Sequence, residues 1–229
     1  MCVVKLSQVT KSYTLGKSTV HALRGLDLEV EQGEFLVVKG HSGSGKSTAL
    51  NMIGVMDLPS SGEVTIVGKN VAQLSDYQQS MLRRNHIGFI FQSFNLIPVL
   101  SALENVEYPL YLKGVPQRRK KAKDFLAQVG LEKFMSHRPN ELSGGQRQRV
   151  AIARALVTEP DVLLADEPTA NLDSKTSEQI LKLMFSLQKE YNITFIVSTH
   201  HALIMEHASR IIELQDGAIT SPEASRISA

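Results

Sequence analysis

Glu34-Phe35-Leu36-Val37-Val38-Lys39-Gly40-His41-Ser42-Gly43-Ser44-Gly45-Lys46-Ser47-Thr48 decides the reading of this 229-residue chain. Gly40–Ser47 fits G-x-x-x-x-G-K-[ST] in full. It follows a strand predicted over Glu34–Val38 and opens a helix predicted from about Lys46 to Met56, which is the context the motif requires. Glycines let backbone N–H groups turn inward around a phosphate. The helix N-terminus adds partial positive charge. Lys46 is placed to reach β- and γ-phosphates, and the Ser47 hydroxyl to ligate Mg²⁺. Gly40, His41, Ser42, Gly43, Ser44, Gly45, Lys46, Ser47 and Thr48 are therefore candidate contacts to a nucleoside triphosphate.

Two other stretches extend this. Val162-Leu163-Leu164-Ala165-Asp166-Glu167 is an apolar strand ending in two acids, roughly 120 residues beyond the loop. Alternation puts consecutive strand residues on opposite faces. At the carboxyl end of a strand, however, both can approach a ligand above the sheet. Asp166 suits Mg²⁺, held directly or through water, and Glu167 suits a general base acting on water. Leu142-Ser143-Gly144-Gly145-Gln146 precedes a helical run, Arg147–Leu156. It reads as a plain serine cap or as a second anion clamp. A second clamp in a chain with one phosphate loop suggests that two copies share each nucleotide. Whether it acts within the chain or across a dimer stays open at this point.

The rest of the chain frames these sites. Val3–Val9 and Leu26–Val30 read as opening strands of a separate antiparallel layer, and Glu63–Val67 as a further strand. Ile87–Phe91, Asp161–Ala165, Ile193–Val197 and Arg210–Leu214 are short apolar strands. Ser75 caps a helix reaching about Arg84, and Pro116 is placed as the first helical residue before Gln117–Val129. Ser174 is expected to cap Lys175–Tyr191. Apolar strands alternating with helices predict an α/β fold with a mostly parallel sheet. The expectation is a single domain over 1–229. Residues 1–92 and 156–220 form its core with the antiparallel layer, 93–155 an inserted, mostly helical subdomain, and 221–229 a tail.

Composition narrows the function. The formal charge is only +2, and the one basic run, Arg118–Lys121, reads as a solvated helix face, so no nucleic-acid partner is expected. Cys2 is the single cysteine, which excludes a disulfide framework. The N-terminus lacks the charged-then-apolar plan of a signal peptide. No apolar stretch approaches the ~20 residues that span a bilayer. The expectation is a cytoplasmic chain; any work at a membrane needs a partner.

The order of Gly40–Ser47, Leu142–Gln146 and Val162–Glu167 resembles the ABC-type ATPases, over nearly the whole chain to about Thr220. That resemblance implies a P-loop nucleotide hydrolase working with ATP and Mg²⁺. It implies a head-to-tail homodimer in which each ATP lies between one copy's Gly40–Ser47 and the other's Ser143, Gly144, Gly145 and Gln146. It implies that Tyr13 stacks on adenine, that Gln92 senses Mg²⁺ and water, and that Asp173 lies in a loop facing the other copy. Lys46, Glu167 and His200 become the catalytic residues, and Ser47, Gln92 and Asp166 the metal-binding ones. His201 stands where the family usually has aspartate, Lys39 where it has an apolar residue, and Ala170 where it often has glycine.

A finer similarity is to the subgroup that exports macrolides or releases lipoproteins. It rests on Phe91–Pro98, Leu103–Val106 and His137–Leu142. It implies a peripheral location on the inner face of the cell membrane, with an integral membrane subunit docking near Phe94–Val99. The alternative within transport is an importer or another exporter. DNA-repair relatives carry a long coiled coil that this chain lacks, translation-acting relatives usually carry two cassettes, and a simple kinase or GTPase has no use for Leu142–Gln146.

Overall fold

The structure, a computed structural model, describes residues 1–16 and 18–220. In chain order it comprises β1 (Cys2–Leu15), β2 (Ser18–Glu31), β3 (Phe35–Lys39), α1 (Lys46–Ile53), β4 (Ser61–Ile66), β5 (Lys69–Asn70), α2 (Asp76–His86), β6 (Ile87–Ile90), α3 (Ala102–Lys113), α4 (Arg118–Gln128), α5 (Gly144–Leu156), β7 (Val162–Asp166), α6 (Ser174–Tyr191), β8 (Thr194–Ser198), α7 (Ala202–His207), β9 (Arg210–Gln215) and β10 (Ala218–Ile219).

These strands form two sheets. One runs β2-β1-β4-β5 and is antiparallel throughout. The other runs β10-β9-β3-β8-β7-β6, and only the β9–β10 pair is antiparallel. The central strands are buried on both faces, as a parallel sheet between layers requires. Phe35 and Val37 of β3, Leu163 and Ala165 of β7, and Phe195 and Val197 of β8 face a core shared with α3–α7. Leu36, Val38, Val162, Leu164 and Ile196 face the opposite core, closed by α1 and the antiparallel sheet. Each such aliphatic or aromatic side chain contributes roughly 1.5–3 kcal/mol by leaving water.

The α/β architecture agrees with the expectation, and several details differ. The hairpin β1–β2 is far longer than the two short strands expected. Its register shifts at several points, with Gln8 at φ 49°, so its alternation does not survive in the sequence. The segment 93–101 is not helical. Phe94 and Asn95 both adopt positive φ, and α3 begins only after Ser101, whose side chain accepts the Glu104 N–H. Pro116 lies outside its helix: Gln117, at φ 53°, precedes α4. The cap of α6 is Asp173 rather than Ser174, through a bond from the Thr176 N–H. Ser75 caps α2 with a reciprocal bond to Gln78, as expected. Lys39 turns to the surface and pairs with Glu213 at 3.0 Å.

The functional consequence is one shared edge. The segments after β3, β6, β7 and β8 all leave from the carboxyl ends of parallel strands. That is where an α/β sheet opens a crevice for a ligand.

Candidate nucleotide site

A cavity of about 580 Å³ occupies that edge. The loop after β3 supplies Ser42, Gly43, Gly45, Lys46, Ser47 and Thr48. Gln92 comes from the segment after β6, Asp166, Glu167 and Ala170 from β7 and its loop, and His200 from the end of β8. Val20, His21 and Ala22 of β2 complete the lining.

The loop is built for close approach. Gly45 sits at φ 104°, and a Cβ there would lie 2.6 Å from the Ala22 carbonyl oxygen. Any other residue is strained and blocked at this position. Lys46 is 8 % exposed. Its ammonium donates to the carbonyls of Gly40 at 2.6 Å and His41 at 3.0 Å. The buried cation is thereby held within the loop by two neutral acceptors. Gly40, His41 and Ser44 do not line the cavity themselves. The first two hold Lys46, and Ser44 is buried beneath the loop.

The two acids are fixed by β8. The Ser198 hydroxyl donates to Asp166 Oδ1. The Glu167 N–H donates to the Ser198 carbonyl at 3.0 Å. Glu167 itself adopts φ 44°, an unfavourable value for a side-chain-bearing residue, and this turn brings both carboxylates to the same cavity. Glu167 Oε1 lies 3.5 Å from His200 Nε2. Burial pushes the Glu167 carboxyl above the usual carboxylate range, against the opposing pull of His200 and Lys46. A base must be ionised to work, so a raised value moves its loss of activity to higher pH. The kcat/KM for ATP is therefore expected to fall with decreasing pH through a midpoint above the ordinary carboxylate value. A pH–rate profile with its acid limb at or below that value would remove Glu167 as the titrating base.

The donor set suits a hard cation. Ser47, Gln92 and Asp166 bring a hydroxyl, an amide and a carboxylate to the cavity. Oxygen donors of this kind, few in number, match Mg²⁺ that is completed by substrate phosphates and water.

The clamp stretch lies elsewhere. Ser143 caps α5 by accepting from the Gln146 N–H at 3.3 Å, and Gln146 Oε1 accepts the Ser143 N–H at 2.8 Å. The reading as a serine cap is thus correct, and it leaves the helix start available to an anion. Ser143–Gln146 do not line the cavity around Lys46. Gly145 allows α5 to touch α6: a Cβ there would be 2.5 Å from Thr176 Cγ2. Asp173 is exposed, and its carboxylate is lowered by the side-chain and backbone bonds from Thr176. Tyr13 also stands outside the cavity lining. Its hydroxyl donates to Asp57 at 3.0 Å, and its cross-strand neighbour Val20 lines the cavity in its place. Val20, His21 and Ala22 carried no signal in the sequence, since a polar, exposed strand end looks like any hairpin. Ser198 and Asp57, which orient the named residues, were equally silent.

The segment 94–99 is mixed rather than uniformly apolar at the surface. Phe94 is buried, with the Arg147 guanidinium 5.1 Å from its ring centroid, whereas Val99 is 70 % exposed. Asn95 and Ile97 form one wall of a second cavity, about 340 Å³, whose other walls are Ile87, Phe89, Phe91, Tyr108, Leu112, Arg84 and Arg154. Among the described residues no helix is long and apolar enough to cross a membrane.

Residues 23–170 match the profile of the ABC transporter family. The chain is 47 % identical to an ABC transporter ATP-binding protein of Methanocaldococcus jannaschii, over 98 % of both chains. It is 46 % identical to the macrolide export ATP-binding/permease protein MacB of Rhodopseudomonas palustris, over 97 % of this chain and 35 % of that one. It superposes with a TM-score of 0.90 on a dimeric, post-hydrolysis structure of the archaeal cassette bound to ADP and Pi, at 46 % identity and 99 % coverage of both chains. Fold, motif order and site geometry agree with these likenesses: the chain belongs to the ABC transporter family, as an ATP-binding subunit that hydrolyses ATP.

Proposed function

We propose that two copies of this chain close on two ATP molecules and that their opening after hydrolysis drives a separate integral membrane subunit of the macrolide-export or lipoprotein-release type. The placement of Ser143–Gln146 away from the Lys46 cavity carries this reading. Ser143–Gln146 do not line the cavity of their own chain, which favours action on the loop of a second copy.

In this reading the nucleoside end of ATP lies toward Tyr13 and Val20–Ala22, and its phosphates lie in Gly40–Thr48. Ser47 and Asp166, with Gln92 nearby, would hold Mg²⁺, which would supply charge neutralisation at the phosphates. Glu167 takes a proton from water as the water oxygen bonds to the γ-phosphorus and the bond to the β-phosphate oxygen breaks, releasing ADP and phosphate. Lys46, His200 and the partner subunit's Ser143 and Gly145 stabilise the negative charge that develops, in positions set before the reaction begins. Asp173 faces the other copy. Loss of the γ-phosphate removes the bridge between the copies.

The groove bounded by Phe91, Asn95 and Ile97 receives the membrane subunit. Its walls are largely aromatic and aliphatic, as a docked helix requires. The cassette then sits on the inner face of the cell membrane, with residues 93–155 acting as the helical subdomain between groove and clamp. The fused permease in the MacB relatives, which share only their cassette with this chain, favours this subunit type over an importer. The test is affinity purification of the detergent-solubilised native complex, with the Ile97→Asp variant in parallel. An integral membrane protein is expected with the parent chain and at least about tenfold less of it with the variant, whose buried charge the groove cannot solvate. Recovery of ribosomes or DNA instead would overturn the transport reading.

A further inference from the structure

The loop after β6 is tied to the loop beyond Glu167, to α5 and, through Asn105 at Ile97, to α3, and its ties at Gln92–Asn95 are unequal. At Gln92, its carbonyl accepts one neutral bond, from Asn171 Nδ2 at 2.9 Å, on the loop beyond Glu167. At Phe94 and Asn95 it is held by α5. The Arg154 guanidinium donates to the Phe94 carbonyl at 2.9 Å and to the Asn95 carbonyl at 2.5 Å. Seven residues earlier, two turns along the same helix face, Arg147 covers the Phe94 ring.

These contacts hold a conformation the loop would not keep alone. Phe94 and Asn95 stand at φ 63° and 47°, and two successive left-handed residues without glycine are unfavourable. The turn aims both carbonyls at one point. A planar guanidinium meets two such acceptors with one rigid fork, which a lysine ammonium does not match. Two charge-assisted bonds and a cation–π contact outweigh the single neutral bond at Gln92. Asn95 and Arg154 are also walls of the docking groove, and Arg147 directly follows Gln146 of the clamp.

We infer that Arg147 and Arg154 are positioning residues that bind the groove wall at Phe94–Asn95 to the helix bearing Ser143–Gln146, so that groove and clamp move as one body. The inference rests on the docking and clamp roles proposed above. It assigns the transmission of force to α5 in preference to the bond at Gln92.

Hydrogen exchange on the full-length Glu167→Gln chain, with and without ATP and Mg²⁺, tests it. Light scattering on the same samples reports the dimer separately. With both arginines present, ATP is expected to slow exchange about tenfold both at 143–147 and at 94–95. In the Arg154→Lys variant the slowing at 143–147 is expected to remain, while that at 94–95 falls to within about twofold of the nucleotide-free rate. Arg147→Lys, which loses the flat contact with Phe94, is expected to lose part of the slowing at 94–95 and serves if Arg154→Lys does not fold. Full slowing at 94–95 in a folded variant overturns the inference, and so does slowing confined to 143–147 in the parent. No dimer with ATP overturns the shared-nucleotide reading itself, and light scattering identifies that case.

Discussion

Glu167→Gln is expected to lower ATP turnover by roughly 10²–10⁴-fold while ATP binding is retained. The substitution keeps the shape and the backbone bond that Glu167 makes to Ser198, so the cavity survives. It removes a carboxyl that burial pushes up and that is set 3.5 Å from His200. Asp166 is held differently, with the Ser198 hydroxyl donating to its Oδ1, and in the proposed reading it serves the metal. The neutral amide also removes a negative charge facing the γ-phosphate, which tightens the closed state. Steady-state phosphate release together with equilibrium ATP binding separates the two effects. Normal turnover in this variant would end the assignment of Glu167.

Lys46→Ala is expected to fail differently. Its ammonium is buried and pointed into the loop by Gly40 and His41, so its charge acts where water does not screen it. Removing one preorganised donor of this kind costs about 2.7–4 kcal/mol of transition-state stabilisation, or roughly 10²–10³-fold in kcat. In the proposed site the same ammonium meets the phosphates of ATP, so KM should rise as well. Glu167→Gln loses turnover without binding, and Lys46→Ala loses both. Equal binding by the two variants would show that Lys46 serves the loop's shape rather than its ligand.

The parts of this molecule that were legible in the sequence are those where chemistry restricts the residue. Gly40–Ser47 needs glycine and lysine at fixed spacing, and the structure puts Ser42, Gly43 and Gly45–Thr48 around one cavity with Asp166, Glu167, Gln92 and His200. The central strands β3, β7 and β8 were legible because burial on both faces leaves an unbroken apolar run. Of the hairpin β1–β2 only Val3–Val9 and Leu26–Val30 were legible; its full length was not, because its bulges break the period of two. The turn at Phe94–Asn95 was read as helix because its cause, Arg154, lies some sixty residues away and looks like any charged helix residue. Tyr13 lies outside the lining, with its hydroxyl engaged by Asp57, while its cross-strand neighbour Val20 lines the cavity. At the start of α6, Asp173 and Ser174 both suit a cap and only the geometry selects Asp173.

The central claim is that one chain holds half of each ATP site. It is tested most directly by the solution mass of the Glu167→Gln chain, measured by light scattering with saturating ATP and Mg²⁺ and again without nucleotide. A monomer without nucleotide and twice that mass with ATP is the predicted result. Adding Lys46→Ala to the same chain should return the monomer mass. A chain that binds ATP and remains a monomer would contradict the claim, because Ser143–Gln146 would then have no phosphate to hold.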